Sequence, residues 1–322
     1  MEYTRRNEAY SKQKHPDYPH KQALQRSPAM YTKYYGFNEK PFTLTPNPRF
    51  IYLSKNHKEA IAHLLYGINN HCGFIELIGE VGSGKTTVLR TLLSQRSYRS
   101  ALIFNPCQTR VELLRSINHE YGLDSSSEYA NELLEELTRF LLEENSRGIT
   151  VVLVVDEAQN LTPNMLEQLR LISNLETEDD KLIQIVLSGQ PELATLMDLP
   201  KLRQLNQRIS VRYWLQPLSM NETGSYIRHR MVVAGDTGGV SFTPLALRII
   251  HFYARGLPRL INNLCDRALL IGYGNEQRRI SVPIVMQAIR ETQNVRQGMR
   301  YSLALAGIIA IIIACAAIIM TS

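Results

Sequence analysis

The feature that most constrains the fold of this chain is the glycine-rich octapeptide GEVGSGKT, which runs from Gly79 to Thr86. The largely apolar run Phe74–Ile78 before it is typical of a buried strand, and Thr87–Leu93 after it is typical of a helix. A strand, a glycine-rich turn and a helix in this order form a loop whose backbone N–H groups face a bound anion. The sequence therefore predicts an α/β fold built around this unit.

The loop predicts a nucleoside triphosphate as the ligand. Its glycines let the backbone curve around phosphate oxygens, Lys85 would reach the β- and γ-phosphates, and Thr86 would ligate Mg²⁺. A glycine-rich turn that carries Lys and Thr by chance is the alternative. The predicted binding residues are consecutive: Gly79, Glu80, Val81, Gly82, Ser83, Gly84, Lys85, Thr86 and Thr87.

A second segment supplies the other half of such a site. Ile149–Val155 is a run of apolar, mostly β-branched residues that ends in two carboxylates, Asp156 and Glu157. This pattern predicts a central parallel strand whose carboxyl end carries the active site. Asp156 would hold the metal, and Glu157 would be the general base that activates water. On its own, an Asp-Glu pair after a strand is more often a helix cap, but the loop upstream favours the joint site.

Composition indicates a large globular domain. The chain has 322 residues, 44% of them hydrophobic, and a formal net charge of +6, which does not by itself imply nucleic acid as a ligand. Its four cysteines, Cys72, Cys107, Cys265 and Cys315, lack the spacing of metal ligands or of a disulfide framework. Cysteine chemistry is therefore not predicted.

The two ends of the chain differ from its middle. Residues 1–29 are polar and rich in basic side chains, which predicts a disordered extension that could also touch lipid headgroups or nucleic acid. Residues 303–320 carry no charge and predict a transmembrane helix, after a basic linker at 293–302. Because Arg290, Arg296 and Arg300 precede this helix, the ATPase region would stay on the cytoplasmic side.

Between the ends, strand and helix patterns alternate, which predicts a five-stranded parallel sheet in an α/β domain at 30–218. The predicted strands are Phe74–Ile78, Ala101–Asn105, Ile149–Val155, Leu182–Ser188 and Ile209–Leu215. The predicted helices are Asn56–Asn69, Thr86–Gln95, Val111–Glu120, Asn131–Glu144, Pro163–Asn174 and Pro191–Met197. From Ser219 onward strand signals stop, and helix starts at Ser219, Thr243, Leu257 and Ser281 predict a helical lid domain at 219–292.

This division resembles the AAA+ class of ATPases, and the resemblance implies ATP as the nucleotide. In LSGQ, Gln190 matches the sensor 1 position best, with Ser188 as the alternative. In LRQLNQRI, Arg208 is the first choice for an arginine finger that acts on the neighbouring subunit, and Arg203 the second. Arg259 in GLPR resembles sensor 2. Each arginine could instead be an ordinary surface residue; with a finger in trans, the active form would be a homo-oligomer.

A narrower resemblance is carried by longer stretches. These are residues 31–68, DEAQNL (Asp156–Leu161), LEQLRLISNLET (Leu166–Thr177), LIQIVLSGQPEL (Leu182–Leu193) and LPRLINNLCDRALL (Leu257–Leu270). Together they resemble the general secretion pathway protein A, or ExeA-like, family of ATPases over residues 30–290. The predicted catalytic residues are thus Glu157, Lys85, Gln190, Arg208 and Arg259.

The resemblance implies an ATPase at the bacterial inner membrane that serves a type II secretion, type IV pilus or polysaccharide export machine. The best-described members of that family continue past the membrane helix into a periplasmic peptidoglycan-binding domain, whereas this sequence resembles the related short members, whose pathway stays open. A membrane partner with a periplasmic domain would then supply that function. Two alternatives stay open: a DNA-handling ATPase of the transposition-regulator type, and a scaffold that does not hydrolyse ATP.

Overall fold

The computed structural model describes residues 29–45, 47–94, 98–104, 109–177 and 180–293. The predicted extension lies outside these ranges up to residue 28, and so does the predicted transmembrane helix at 303–320. Within the described ranges, no helix combines the length and the apolar character needed to cross a membrane.

One sheet forms the centre of the α/β domain. Its strands are β1 (Phe74–Gly79), β2 (Tyr98–Ile103), β3 (Thr150–Val155), β4 (Ile183–Gly189) and β5 (Ile209–Leu215). They lie in the order β2-β3-β4-β1-β5, and every pair is parallel. The predicted five-stranded parallel sheet is therefore confirmed. Only β2 begins well before its predicted start. Its first residues are polar and partly exposed at the sheet edge, so the apolar pattern did not include them.

Twelve α-helices occur in the described residues, on both faces of the sheet and in the part of the chain after it. They are α1 (Ala29–Tyr35), α2 (Lys55–Asn69), α3 (Lys85–Leu93), α4 (Arg110–Tyr121), α5 (Ala130–Ser146), α6 (Pro163–Ile172), α7 (Pro191–Met197), α8 (Arg203–Asn206), α9 (Met220–Val233), α10 (Pro244–Ala254), α11 (Pro258–Gly274) and α12 (282–293). The helices predicted from periodicity are present, with ends shifted by one or two residues. Helix α1 was not predicted.

Side-chain alternation along the strands produces three layers. In β3, Val151, Leu153 and Val155 belong to the hydrophobic core beneath α4, α5, α6 and α7, whereas Val152 and Val154 face the core beneath α2 and α3. Successive side chains of a strand point to opposite faces of the sheet. A strand that is apolar at every position is therefore covered on both faces, and its carboxyl end is the edge left open for a ligand.

Four described helices, α9 to α12, form the region that the sequence predicts as a lid domain, and their buried side chains share one hydrophobic cluster. The predicted capping box at its start is present, since the Ser219 hydroxyl accepts the Glu222 N–H and the Glu222 carboxylate accepts the Ser219 N–H. Two short parallel strands, β6 (Ser241–Phe242) and β7 (Arg279–Ile280), also occur here. The sequence analysis expected no strand after Ser219, and these two short strands show that this expectation is wrong. A strand of two residues is too short to give the alternating pattern from which a strand is predicted.

The segment before α2 packs with the lid. Tyr31, Tyr35, Phe37, Phe42 and Phe50 lie in the same buried cluster as the helices of the lid. Sequence analysis groups this segment with the α/β domain, because it precedes the sheet along the chain. Its aromatic side chains instead belong to the lid core, so the chain passes through that core before it forms the sheet.

A buried arginine of the lid holds this segment in place. Arg230 on α9 donates from Nε to the Pro41 carbonyl at 2.6 Å and from Nη2 to the Thr43 carbonyl at 3.1 Å. A third nitrogen, Nη1, donates to the Tyr226 hydroxyl at 3.2 Å, and the guanidinium lies 4.7 Å from the centre of the Phe50 ring. These contacts use the planar fork of an arginine, which a lysine lacks.

We predict that Arg230→Met lowers the free energy of unfolding by about 2–4 kcal/mol, since buried carbonyls lose their donors. Urea denaturation followed by circular dichroism would measure the change. Arg228, exposed on the same helix, provides the control: Arg228→Met should shift stability by less than about 0.5 kcal/mol. If both variants lost the same free energy of unfolding, the stabilising role assigned to the Arg230 contacts would be wrong.

Candidate active site

The glycine-rich loop lies between the end of β1 and the start of α3. Gly82 and Gly84 adopt positive φ angles of 79° and 108°. A Cβ atom at Gly84 would lie 2.4 Å from His57 Nε2, and one at Gly82 would lie 2.5 Å from Arg259 Cβ. Both positions thus exclude a side chain on conformational and on steric grounds. The tight curve is what brings the start of α3 to the open edge of the sheet.

The start of α3 offers unpaired donors. The N–H groups of Thr87 and Val88 bond to the Gly84 carbonyl, while the first N–H groups of a helix have no intrahelical acceptor. Those of Lys85 and Thr86 are therefore available to an anion, and the helix dipole favours one there. This arrangement fits the phosphate-binding role predicted for the loop.

Lys85 is folded onto the loop. Its ammonium group donates to the carbonyl of Gly79 at 2.8 Å and to that of Glu80 at 3.2 Å. Burial lowers the pKa of this ammonium, and the nearby carboxylates of Glu157 and Asp156 act in the opposite direction. The side chain lies within the site, and its charge is held close to where phosphate oxygens would bind.

Asp156 directly follows β3 and contacts both β4 and the start of α3 at the open edge. Its Oδ2 accepts a hydrogen bond from the Thr86 hydroxyl at 3.1 Å, and its Oδ1 accepts one from the Ser188 hydroxyl at 2.8 Å. The predicted metal ligands Thr86 and Asp156 are thus in contact. A carboxylate beside a hydroxyl next to a phosphate-binding loop is the hard-oxygen donor set that Mg²⁺ prefers, so these residues fit that ion.

Glu157 is held in an unusual backbone conformation. Its φ of 54° and ψ of 37° are left-handed, and its Oε2 accepts from Gln159 Nε2 at 2.7 Å and from Gln190 Nε2 at 2.9 Å. Burial acts to raise the pKa of this carboxyl, but the two amide donors and the charge of Lys85 outweigh it, so the pKa lies below its usual value. The group is therefore an ionised carboxylate at neutral pH.

The two sensor 1 candidates have different contacts. Ser188 donates to Asp156, the predicted metal ligand, whereas Gln190 donates to Glu157, the predicted base. Sequence analysis favours Gln190 as the residue that orients the attacking water. Its amide lies beside the base, which is compatible with that role, while Ser188 fixes the orientation of the Asp156 carboxylate.

Arg259 approaches the loop from the lid. It lies in the first turn of α11, and its N–H bonds to the Gly82 carbonyl at 3.4 Å. Contact between the lid and the glycine-rich loop is thus made by the residue predicted as sensor 2. The structure thus places the main chain of Arg259 against the loop that carries Lys85.

The two arginine-finger candidates lie elsewhere. Arg208 directly precedes β5, whose first residue pairs with Phe74 at the start of β1. It is therefore at the amino end of the strands, on the order of 20 Å from the loop at the carboxyl end. Its guanidinium donates to Asn174, and Arg203 is exposed on α8. Arg208 is therefore distant from the site of its own chain, and its role as an arginine finger stays a prediction.

A cavity of about 790 Å³ adjoins the loop, and the sequence did not predict it. The segment before α2, helix α3 and the lid form its walls, which include Phe50, Tyr52, Thr87, Leu218 and Asn262. Its size and mixed lining suit a drug-sized organic ligand. Because Thr87 and Arg259 also line it, the cavity borders two residues that the sequence predicts to act on the nucleotide.

His57 is a second feature that the sequence did not reveal. This buried side chain bonds through Nε2 to the Ser83 carbonyl of the loop at 3.1 Å and through Nδ1 to the Ser54 hydroxyl at 2.6 Å. Burial lowers its pKa. A histidine three residues after a helix-capping serine is a weak signal, so only the tertiary contact identifies it.

Comparisons with known proteins agree with this site. A family described as AAA domain matches residues 68–197. General secretion pathway protein A of Aeromonas hydrophila is 45% identical over 270 residues, which are 83% of this chain and 49% of that protein. The chain thus spans about half the length of this curated relative.

Solved structures show the same fold at low sequence identity. The ORC2 protein of Aeropyrum pernix, in ADPNP-ADP complexes, has a TM-score of 0.60 at 17% identity over 79% of this chain and 72% of that one. Cdc6p of Pyrobaculum aerophilum has a TM-score of 0.58 at 21% sequence identity, over 78% of this chain and 70% of that one. A Walker-type ATPase of Pyrococcus abyssi has a TM-score of 0.58 at 16% sequence identity, over 82% of this chain and 79% of that one.

The parallel sheet, the glycine-rich loop and the carboxylates that follow β3 define the class: the chain contains an AAA domain. Within that class, the chain belongs to the general secretion pathway protein A family, which confirms the resemblance found in its sequence.

We predict that Gly84→Ala abolishes nucleotide binding, because the added Cβ overlaps His57 and the loop cannot keep its curve. Titration with a fluorescent ATP analogue would measure a loss of affinity of 100-fold or more, on the order of 3 kcal/mol. Gly122 also has a positive φ, 76°, but has open space around it. Gly122→Ala therefore controls for backbone strain alone, and equal losses of affinity would refute the steric explanation.

Proposed function

We propose that this chain is a membrane-anchored AAA+ ATPase that hydrolyses ATP with Mg²⁺ to drive assembly or remodelling of a bacterial envelope machine. The observation that carries the proposal is the joint site of Lys85, Thr86, Asp156 and Glu157 in a chain 45% identical to a general secretion pathway protein. Type II secretion, type IV pilus and polysaccharide export systems are the candidate machines.

In the proposed reaction, each residue has a separate task. The loop from Gly79 to Thr87 would hold the phosphates, with Lys85 and Arg259 compensating their charge. Thr86 and Asp156 would hold Mg²⁺, which supplies charge neutralisation between the β- and γ-phosphates when bound. Glu157 would accept the proton of the attacking water.

Two further groups complete the proposed site. Gln190 would orient the water, since its amide is already next to Glu157. Arg208, at the far end of the sheet, would stabilise the transition state in the neighbouring subunit, with Arg203 as the second candidate. Its distance from the site of its own chain supports an active homo-oligomer.

The proposed location is the inner membrane, with the ATPase on the cytoplasmic face. The uncharged stretch at 303–320 and the arginines before it support a spanning helix. A membrane protein with a periplasmic domain is the proposed partner, because conversion of ATP energy into work across the envelope requires a component on its far side.

We predict that Glu157→Gln retains ATP binding and loses hydrolysis by about 100-fold or more, because the amide cannot accept the proton. Phosphate release and ATP binding, measured on the same preparation, test this. Glu120, exposed at the end of α4, provides the control, and Glu120→Gln should leave the rate unchanged. A Glu157→Gln variant that hydrolyses ATP at the normal rate would exclude the general-base assignment.

Deletion of residues 303–322 should move the protein from the membrane pellet to the soluble fraction after ultracentrifugation of lysed cells, since the apolar stretch would be gone. Extraction of the full chain by detergent, but not by high salt, is the matching control, because salt releases proteins held only by charge. Continued pelleting of the deletion variant would overturn the proposed anchor.

A further inference from the structure

Two glutamines, Gln159 and Gln190, form a closed hydrogen-bonded unit with the Glu157 carboxylate. Gln159 Nε2 donates to Glu157 Oε2 at 2.7 Å, and Gln190 Nε2 donates to the same oxygen at 2.9 Å. The main-chain N–H of Gln190 donates to Gln159 Oε1 at 3.0 Å, which closes the unit. Both ends of the Gln159 amide are thus used within the site.

The surroundings of Gln159 hold its amide in one place. A Cβ at Gly189 would lie 2.9 Å from Gln159 Oε1, so the glycine at the end of β4 makes room for this oxygen. The residue lies in the short 3-10 turn Ala158–Asn160, which is anchored by the fully buried Ala158. The Asn160 N–H bonds to the Glu157 carbonyl, so the turn follows directly from the base.

Local hydrogen bonds hold the main chain of Glu157, since its N–H donates to Asp156 Oδ1 and its carbonyl accepts the Asn160 N–H, but they do not set the direction of its side chain. A left-handed conformation in a residue with a side chain is unfavourable and persists only where the surroundings determine it. Strand β3 ends before this residue, so no ladder hydrogen bond of the sheet sets its direction. The two amides on Oε2 therefore decide where the carboxylate points and leave Oε1 for other contacts.

We propose that Gln159 is a positioning residue for ATP hydrolysis: it sets the direction of the Glu157 carboxylate and ties it to the Gln190 main chain at the end of β4. The role rests on the proposed function, in which Glu157 is the general base. Gln159 acts through Glu157 and Gln190. Its loss therefore lowers the rate of the chemical step and leaves nucleotide binding intact.

Two substitutions in the full-length protein separate the contacts. Gln159→Met has a similar length and no polar atom, and we expect kcat to fall about 10-fold while KM for ATP changes less than about twofold. Gln159→Glu keeps an acceptor for the Gln190 N–H but places a carboxylate against Glu157, so kcat falls further. Gln287 donates to Glu291 on α12 at 3.3 Å, and Gln287→Met is the matched control, expected to leave both constants unchanged.

A double variant tests whether Gln159 acts through the base. In a Glu157→Gln background, Gln159→Met should give no further loss in the single-turnover rate, because residues that act as one unit are not additive. If the two losses multiply instead, the proposal is wrong. It is equally wrong if Gln159→Met raises KM and lowers the melting temperature with kcat unchanged, which is the result of a structural role.

The outcomes also separate this proposal from the proposed function. Normal hydrolysis by Glu157→Gln would remove the general base and the proposal with it. Loss of hydrolysis in Glu157→Gln together with a normal rate in both Gln159 variants would leave the base in place and reject only the positioning role.

Discussion

The Asp156 carboxylate is the point on which the active site depends. One oxygen takes a hydrogen bond from Thr86, which follows β1, and the other takes one from Ser188 at the end of β4. Asp156 itself directly follows β3, and its N–H bonds to the Ile103 carbonyl of β2. One residue thereby connects the carboxyl ends of three strands, β2, β3 and β4, with the start of α3. Parallel pairing makes this possible, since it brings the carboxyl ends of neighbouring strands to the same edge.

A second set of contacts ties the glycine-rich loop to the rest of the molecule. The lid reaches it through the Arg259 N–H, and α2 reaches it through His57. The lid also touches the start of α2, where Glu222 accepts the Lys55 N–H at 3.0 Å. The glycine-rich loop, helix α2 and the lid therefore meet around the cavity, and a ligand bound there would contact all three.

The sheet separates the two ends of the proposed catalytic apparatus. Lys85, Asp156 and Glu157 are at the carboxyl edge, whereas Arg208 precedes β5 at the amino edge. A side chain cannot span the length of the strands, so one chain alone does not bring all the proposed groups together. If Arg208 is the finger, oligomerisation becomes a requirement of the chemistry, because each site then needs an arginine from a second copy.

The sequence by itself determined the parts whose signals are local. The spacing of glycines around Lys85, the apolar run before Asp156 and the capping pattern at Ser219 each lie within a few residues, and the structure contains the elements they predict. Only the tertiary structure decided which groups meet. The bond of His57 to Ser83, the packing of residues 31–50 in the lid core and the contact of Gln159 with Gln190 join positions that are distant in the chain or unmarked by any pattern. Periodicity reports which face of an element is buried, but it carries no information on the partner against which that face packs.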